Sequence, residues 1–164
     1  MAKRHTHTCP IAGVLNIFGD NWTWLIIREA FYGATRFSEI MRNTGIARNV
    51  LSERLERLLE EGILMREDVG ANGTRYAYVL TDKGETLYPV LLALHQWGNT
   101  HVYGPGNEPV LLVEKATGLP LKPLAPIGSN GSPLSRADIL TKPGPGASPA
   151  TQRRLAEAAR QPLE

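Results

Sequence analysis

The chain carries one cysteine, Cys9, directly before Pro10, and a single thiol limits the sulfur chemistry open to it. An internal disulfide and a cysteine-based zinc framework are both excluded. Proline suits the first position of a helix, where its missing N–H costs nothing. A thiol just ahead of it meets the positive end of the helix dipole, which favours the reactive thiolate. Cys9 is therefore a redox candidate with three products open to it: a sulfenic acid, a mixed disulfide with a small thiol, or a disulfide between two copies of Cys9. Against this stands the commonest role of an unpaired cysteine, a small buried hydrophobe. His5, His7 and Cys9 alternate as ligands would along an extended segment, but a closed site wants four ligands and no fourth is near. No metal and no cofactor is assigned. The chain also lacks a convergent nucleophile, base and orienter, a phosphate-binding loop and a His-Glu-x-x-His pair. These residues do not read as an enzyme.

A second group of residues is polar without being nucleophilic. Arg48, Asn49, Ser52 and Glu53 open one amphipathic stretch, and Arg36, Ser38, Arg42, Arg54 and Arg75 lie around it. Arginine pairs with guanine and asparagine with adenine, while arginine and serine also hold phosphate. The competing reading is a solvated helix face with i,i+4 pairs, which Glu53 and Arg57 fit. Overall charge does not separate the two. The formal net charge is +2, and within residues 1–101 eleven Lys and Arg balance eleven Asp and Glu. A nucleic-acid surface would have to be made by segregating charge.

The elements that must position these residues follow from periodicity and breakers. Cys9 to Gly19 reads as a short helix stopped by Gly19. Asp20 or Asn21 can cap the next one, where Trp22, Leu25, Ile26, Ala30 and Phe31 keep the spacing of a buried face up to Gly33. Phe37, Ile40 and Met41 mark a third, shorter helix. Gly45 then turns the chain into a fourth, from about residue 48 to 61, with Leu51, Leu55 and Leu58 on one side. Residues 63–69 and 74–80 read as two strands around Gly70-Ala-Asn-Gly73, with Tyr76 and Tyr78 on one face. Thr81 caps a last helix bearing the apolar stripe Leu87, Leu91, Leu94 and Trp97. Such a stripe after a complete domain calls for a partner, and His95 reads as an interface residue beside it.

Composition changes near residue 103, where Pro and Gly begin to crowd in. Gly118 and Gly131 sit in two similar segments thirteen residues apart and read as turns between short strands. The expected organisation is a flexible segment 1–8, a helical domain 9–102, a small β-rich extension 103–142, and a Pro/Gly linker and tail 143–164 containing a short helix over 151–161. Apolar runs such as Pro89–Leu94 are far below the roughly 20 residues a membrane span needs, and residues 1–10 hold no apolar signal core. A cytoplasmic protein without a membrane partner is expected.

The order of elements carries the most information. Helices with a tight Gly turn between the last two, followed by a hairpin, form the winged helix-turn-helix arrangement, an α+β fold that is mostly α, here with a C-terminal dimerisation helix. Its fourth helix can enter a major groove roughly 12 Å wide while the hairpin reaches nearby phosphate. The rival is a winged helix whose polar face meets protein.

The same residues resemble the HxlR-type family of bacterial winged helix-turn-helix regulators. The resemblance rests on Cys9-Pro10, Trp22-Thr23, Leu25-Ile26-Ile27-Arg28-Glu29, Arg36-Phe37-Ser38-Glu39-Ile40, Leu51-Ser52-Glu53-Arg54-Leu55, Glu61-Gly62-Ile63, Arg66, Thr81 with Gly84, and Leu91 to Gly98. It implies a homodimer formed by the first and last helices, binding an inverted-repeat operator in double-stranded DNA as a repressor. It also implies an oxidant or small-molecule effector, in some members through the position of Cys9. The chain departs from the family pattern at Asn21, where Lys is common. It departs again at Ala47, where a Ser or Thr cap is common, and at the wing tip, which lacks proline.

Overall fold

The computed structural model describes residues 5–6, 8–70 and 76–159. His7, Arg75, most of the Gly70–Gly73 turn and Gln161 lie outside the described residues. The described chain divides into two compact units, one spanning Asp20–Leu124 and the other formed by the residues up to Gly19 with those from Ala125 onward.

In the first unit, α2 (Thr23–Phe31), α3 (Phe37–Thr44) and α4 (Arg48–Glu60) precede an antiparallel pair, β1 (Leu64–Asp68) and β2 (Tyr76–Leu80). Of the two capping candidates for α2 it is Asp20 that reaches back, accepting from the N–H groups of Trp22 at 2.8 Å and Thr23 at 2.9 Å. The core is aliphatic: Ile26, Ile40, Leu51, Leu55 and Leu58 are buried as the periodicity predicts, joined by Ile27 and Ile46, which it did not mark, and by Ile63, Leu64 and Ala77 from the hairpin, while Trp22, Leu25, Phe31, Phe37 and Met41 are only half-buried. β1 and β2 pair Leu64 with Leu80 and Arg66 with Tyr78. The hairpin is fastened to the helices through the Tyr78 N–H, which donates to the Thr35 carbonyl at 2.8 Å.

The last helix departs from the single rod expected after Thr81. Thr81 caps only one turn, α5 (Asp82–Glu85), accepting from the Gly84 N–H at 3.0 Å while its hydroxyl donates to the Gly62 carbonyl at 2.7 Å. The chain restarts as α6 (Tyr88–Gly98) and loosens into a π-helical turn over Asn99–Tyr103. Pro89 explains the restart, since it has no N–H to continue a helix but is well placed at the beginning of one. Gly84 is required by close packing: a Cβ there would lie 2.3 Å from the Ile63 carbonyl oxygen.

The change of composition near residue 103 does not separate compact units. Residues up to Leu124 stay with the helices, because the Gln96 side chain donates to the Lys122 carbonyl at 2.9 Å and accepts from the Leu124 N–H at 2.8 Å. Asn99 donates to the Val110 carbonyl at 2.9 Å.

The extension is also less regular than the small β-rich appendage expected. Gly118 and Gly131 do turn the chain with positive φ, but each turn is closed by one isolated bridge, Val113 with Pro120 and Ile127 with Pro133. Proline has no donor for a ladder, so pairing stops where it starts.

In the second unit, α1 (Pro10–Phe18) exposes Ile11, Val14 and Leu15, and α7 (Pro149–Ala158) is capped by Ser148. The segment before α1, expected to be free, is hydrogen-bonded where described. The His5 N–H donates to Asn16 Oδ1 at 2.7 Å, and the Thr8 hydroxyl donates to Ser148 Oγ at 2.8 Å.

Candidate nucleic-acid interface

The candidate surface is built on α3 and α4. At the start of α3, the Glu39 carboxylate accepts from the N–H groups of Arg36 at 3.0 Å and Thr35 at 3.2 Å, satisfying donors that the first turn leaves open. Those bonds, led by the Arg36 N–H, hold the Glu39 carboxyl below its ordinary range, with Arg42 and Arg36 adding positive charge. Gly45 closes α3 in the left-handed region at φ 71°, and Ile46 plunges into the core before α4 begins. Ala47 stands at the N-cap of α4 and offers no side-chain acceptor.

Leu51, Leu55 and Leu58 anchor α4 inward, which leaves Arg48, Asn49, Ser52 and Glu53 exposed on its first turns. The Arg48 guanidinium lies 5.4 Å from the centre of the Phe37 ring, so it spans from α4 to α3. The Ser52 hydroxyl donates to the Arg48 carbonyl at 3.1 Å. Ser38 and Arg42 are exposed on α3, and Arg36 is half-buried.

Arg54 differs from the others. Its guanidinium faces Asp20 at 3.2 Å and Glu53 at 2.8 Å, joining α4 to the cap of α2. Burial opposes ionisation of Asp20, yet the Thr23 hydroxyl, the N–H groups of Trp22 and Thr23, and Arg54 together hold its carboxyl below the usual carboxylate range.

Three residues have positioning roles that the sequence reading did not assign. Glu29 is 4% exposed and receives Arg28 at 2.7 Å on one oxygen and Asn43 at 2.7 Å on the other, locking α2 to α3. No helical pattern signals a bond between residues fourteen apart in sequence. On the hairpin, Arg66 lies over both Tyr76, at 5.7 Å, and Tyr78, at 5.9 Å. The shared face of the two tyrosines was legible, and the register opposite Tyr78 supplies the cation. Gln96 was the third.

Of the predicted interface residues, Leu91, Leu94 and Trp97 lie on α6, which has no buried side chain, and Leu87 is its N-cap. Leu87 and Leu91 are half-buried, while Leu94 is 49% and Trp97 62% exposed. In the other unit Cys9 is the half-exposed N-cap of α1. The N–H groups of Ala12 and Ile11, and then the charge of Arg154 on α7, draw its thiol below the ordinary value.

With this geometry in place, comparison with known proteins is decisive. The HxlR-like helix-turn-helix family profile matches residues 17–104. The chain belongs to that family. It is similar to Mb3122 of Mycobacterium bovis, an uncharacterized HTH-type transcriptional regulator, with 34% identity over 83% of this chain and 86% of that protein. Among solved structures it is similar to PA1607, a candidate transcription factor, with a TM-score of 0.77 and 39% identity over 84% of this chain and 96% of that one. It also resembles the redox regulator HypR in its reduced form, with a TM-score of 0.52 and 30% identity over 55% of this chain and 90% of that one. The fold is therefore a winged helix, mostly helical with one two-stranded sheet, and the chain is a transcriptional regulator of the helix-turn-helix type. Cys9 precedes the matched span. Among the described residues no helix is long and apolar enough to cross a membrane.

Proposed function

We propose that this HxlR-family member acts in the cytoplasm as a homodimer on an inverted-repeat operator, with α4 reading base edges in the major groove and promoter occupancy producing repression. The observation that carries the proposal is the α3–Gly45–α4 unit, whose outward first turn holds Arg48, Asn49, Ser52 and Glu53 while its leucines stay in the core. Arg36 at the N-cap of α3, Ser38 and Arg42 on α3, and Arg66 of β1 take the phosphate contacts, as does Arg75, which lies outside the described residues. The ion pair of Arg54 with Asp20 supports a positioning role for that residue. The exposed stripe of α6 supports dimerisation through Leu87, Leu91, Leu94 and Trp97. A two-fold dimer would match half-sites about 34–36 Å apart.

Selection from random duplex DNA tests this reading, with an enriched palindrome as the expected result. Asn49→Ala should then cost about 1–3 kcal/mol of discrimination at one base pair of each half-site. Failure to enrich any sequence would favour the protein-interaction reading, for which the charge balance of residues 1–101 speaks.

The same proposal makes Cys9 the oxidant-responsive group. Its lowered thiol at the start of α1 supports this, as does the likeness to a redox regulator. The Cys9 thiolate attacks peroxide, the O–O bond breaks, and a sulfenic acid and hydroxide result, the hydroxide taking a proton from solvent. The thiolate of the second copy then attacks the sulfenic sulfur, the S–O bond breaks, and hydroxide leaves as the intersubunit disulfide closes, to be protonated by solvent. Operator binding should change on peroxide treatment in the wild type and stay constant in Cys9→Ser. Identical gel shifts with and without peroxide in the wild type would sink the idea.

A further inference from the structure

The charge of the chain is divided unevenly between its two compact units. In the unit formed by the two chain ends, residues 1–19 and 125–164, seven Lys and Arg stand against three Asp and Glu, a net charge of +4. The unit that carries the helix-turn-helix, Asp20–Leu124, holds eleven against thirteen and is net −2. A nearly neutral chain is thus one basic body and one acidic body. The recognition helix belongs to the acidic one, so its unit brings little long-range attraction to a polyanion, whose binding depends on the cations placed against its phosphates.

The segregation is sharpest after Asp138. No acidic residue stands between it and Glu157, a stretch that holds Lys142, Arg153 and Arg154. Asp138 is itself turned onto its own chain, accepting from the Ser135 hydroxyl at 2.6 Å and the Ser135 N–H at 2.9 Å. Arg154 faces the Cys9 thiol. Arg136, Lys142 and Arg153 are exposed, and among the described residues they make no ion pair. Such cations can meet phosphate oxygens without first giving up a partner inside the protein. The frame beneath them is tied: Ser148 caps α7 and accepts from the Thr8 hydroxyl at 2.8 Å. An anionic bilayer is the other broad phosphate surface, but α7 exposes no large apolar side chain for a bilayer to take up.

We infer that the basic unit formed by the two chain ends is a second DNA-binding surface, gripping the phosphate backbone without reading sequence through Arg136, Lys142 and Arg153. The inference rests on the regulator reading for its choice of duplex DNA as partner. It separates two tasks: α4 selects the site, and the chain ends supply affinity that is the same for every sequence.

Binding of the full-length protein to a random-sequence duplex, followed from about 50 to 200 mM salt, tests it. Log affinity against log salt should be shallower in the triple variant Arg136→Gln, Lys142→Gln, Arg153→Gln by about 0.9 to 2.7, as one to three phosphate contacts are lost. Over that fourfold rise in salt the wild type should then lose roughly three- to forty-fold more affinity than the variant. The matched variant Lys83→Gln, Lys115→Gln, Lys122→Gln removes as much charge from the other unit and should keep the wild-type slope. All six side chains are exposed, and thermal melts establish that both variants are folded. If the first does not fold, Arg153→Gln alone decides, with a slope shallower by about 0.9 expected. A change smaller than one contact supplies, an equal change in both variants, or no binding of the wild type to random duplex would overturn the inference. An unchanged slope beside lost binding to phosphatidylglycerol vesicles would overturn it in favour of a membrane surface. Selection from random DNA keeps the two readings apart. An enriched palindrome with equal slopes defeats the second surface alone, and a shallower slope without enrichment leaves that surface standing and defeats the operator reading.

Discussion

Asp20 shows how one side chain can serve several neighbours. It caps α2, accepts from the buried Thr23 hydroxyl, and faces Arg54 of α4. Because its native carboxyl titrates below its unfolded value of about 3.9, the stability it contributes is complete above that pH and is lost as pH falls through the native pKa. Thermal unfolding of wild type and Asp20→Asn should therefore differ at pH 7 and converge toward pH 3. A constant difference across that range would contradict the assignment. At this scale the sequence was only partly legible. Asp20 and Asn21 are equally good caps on paper, and only the path of the chain decides whose oxygen reaches the Trp22 N–H. For Arg54, a candidate DNA contact in the sequence, the pairing with Asp20 thirty-four positions earlier in the chain lies beyond any local pattern.

At the scale of elements, the helix-turn-helix itself was plain to read. Its leucine spacing and Gly45 are local signals, and α4 ended within a residue of its expected limit. Ala47 leaves the first turn of α4 without a side-chain acceptor while holding the extended backbone that a cap needs. Ala47→Ser should add about 1 kcal/mol of stability, measured by denaturant unfolding, with the slope of the transition unchanged. The last helix was harder, because an apolar periodicity continues across Thr86 and Leu87 while hydrogen bonding does not. Pro89 was visible in the sequence, but a proline allows either a kinked helix or a fresh start. The extension was misjudged for a related reason. Alternating apolar residues around Gly118 and Gly131 resemble strands, yet Pro120 and Pro133 occupy the bridge positions themselves.

For the whole molecule, α6 leaves an apolar face that its own chain does not bury. On the proposed homodimer, Trp97→Asp combined with Leu94→Asp should shift the protein to monomer in sedimentation analysis, with little loss of secondary structure by circular dichroism. Operator affinity should fall with it, since each half-site would then be bound alone. The division into units was the least legible feature. Composition marks where proline and glycine begin, whereas compactness follows hydrogen bonds such as those of Gln96.

That amide has a consequence for how the chain breaks. A protease that cleaves on the amino side of lysine can cut before Lys115, at an exposed turn, and before Lys122, whose carbonyl is the one Gln96 holds. A protease must draw several residues into an extended form, so the held site should be nicked later than the turn. Gln96→Ala should erase the interval between the two cuts, and the order of fragments in a timed digest becomes a direct gauge of one side chain's grip.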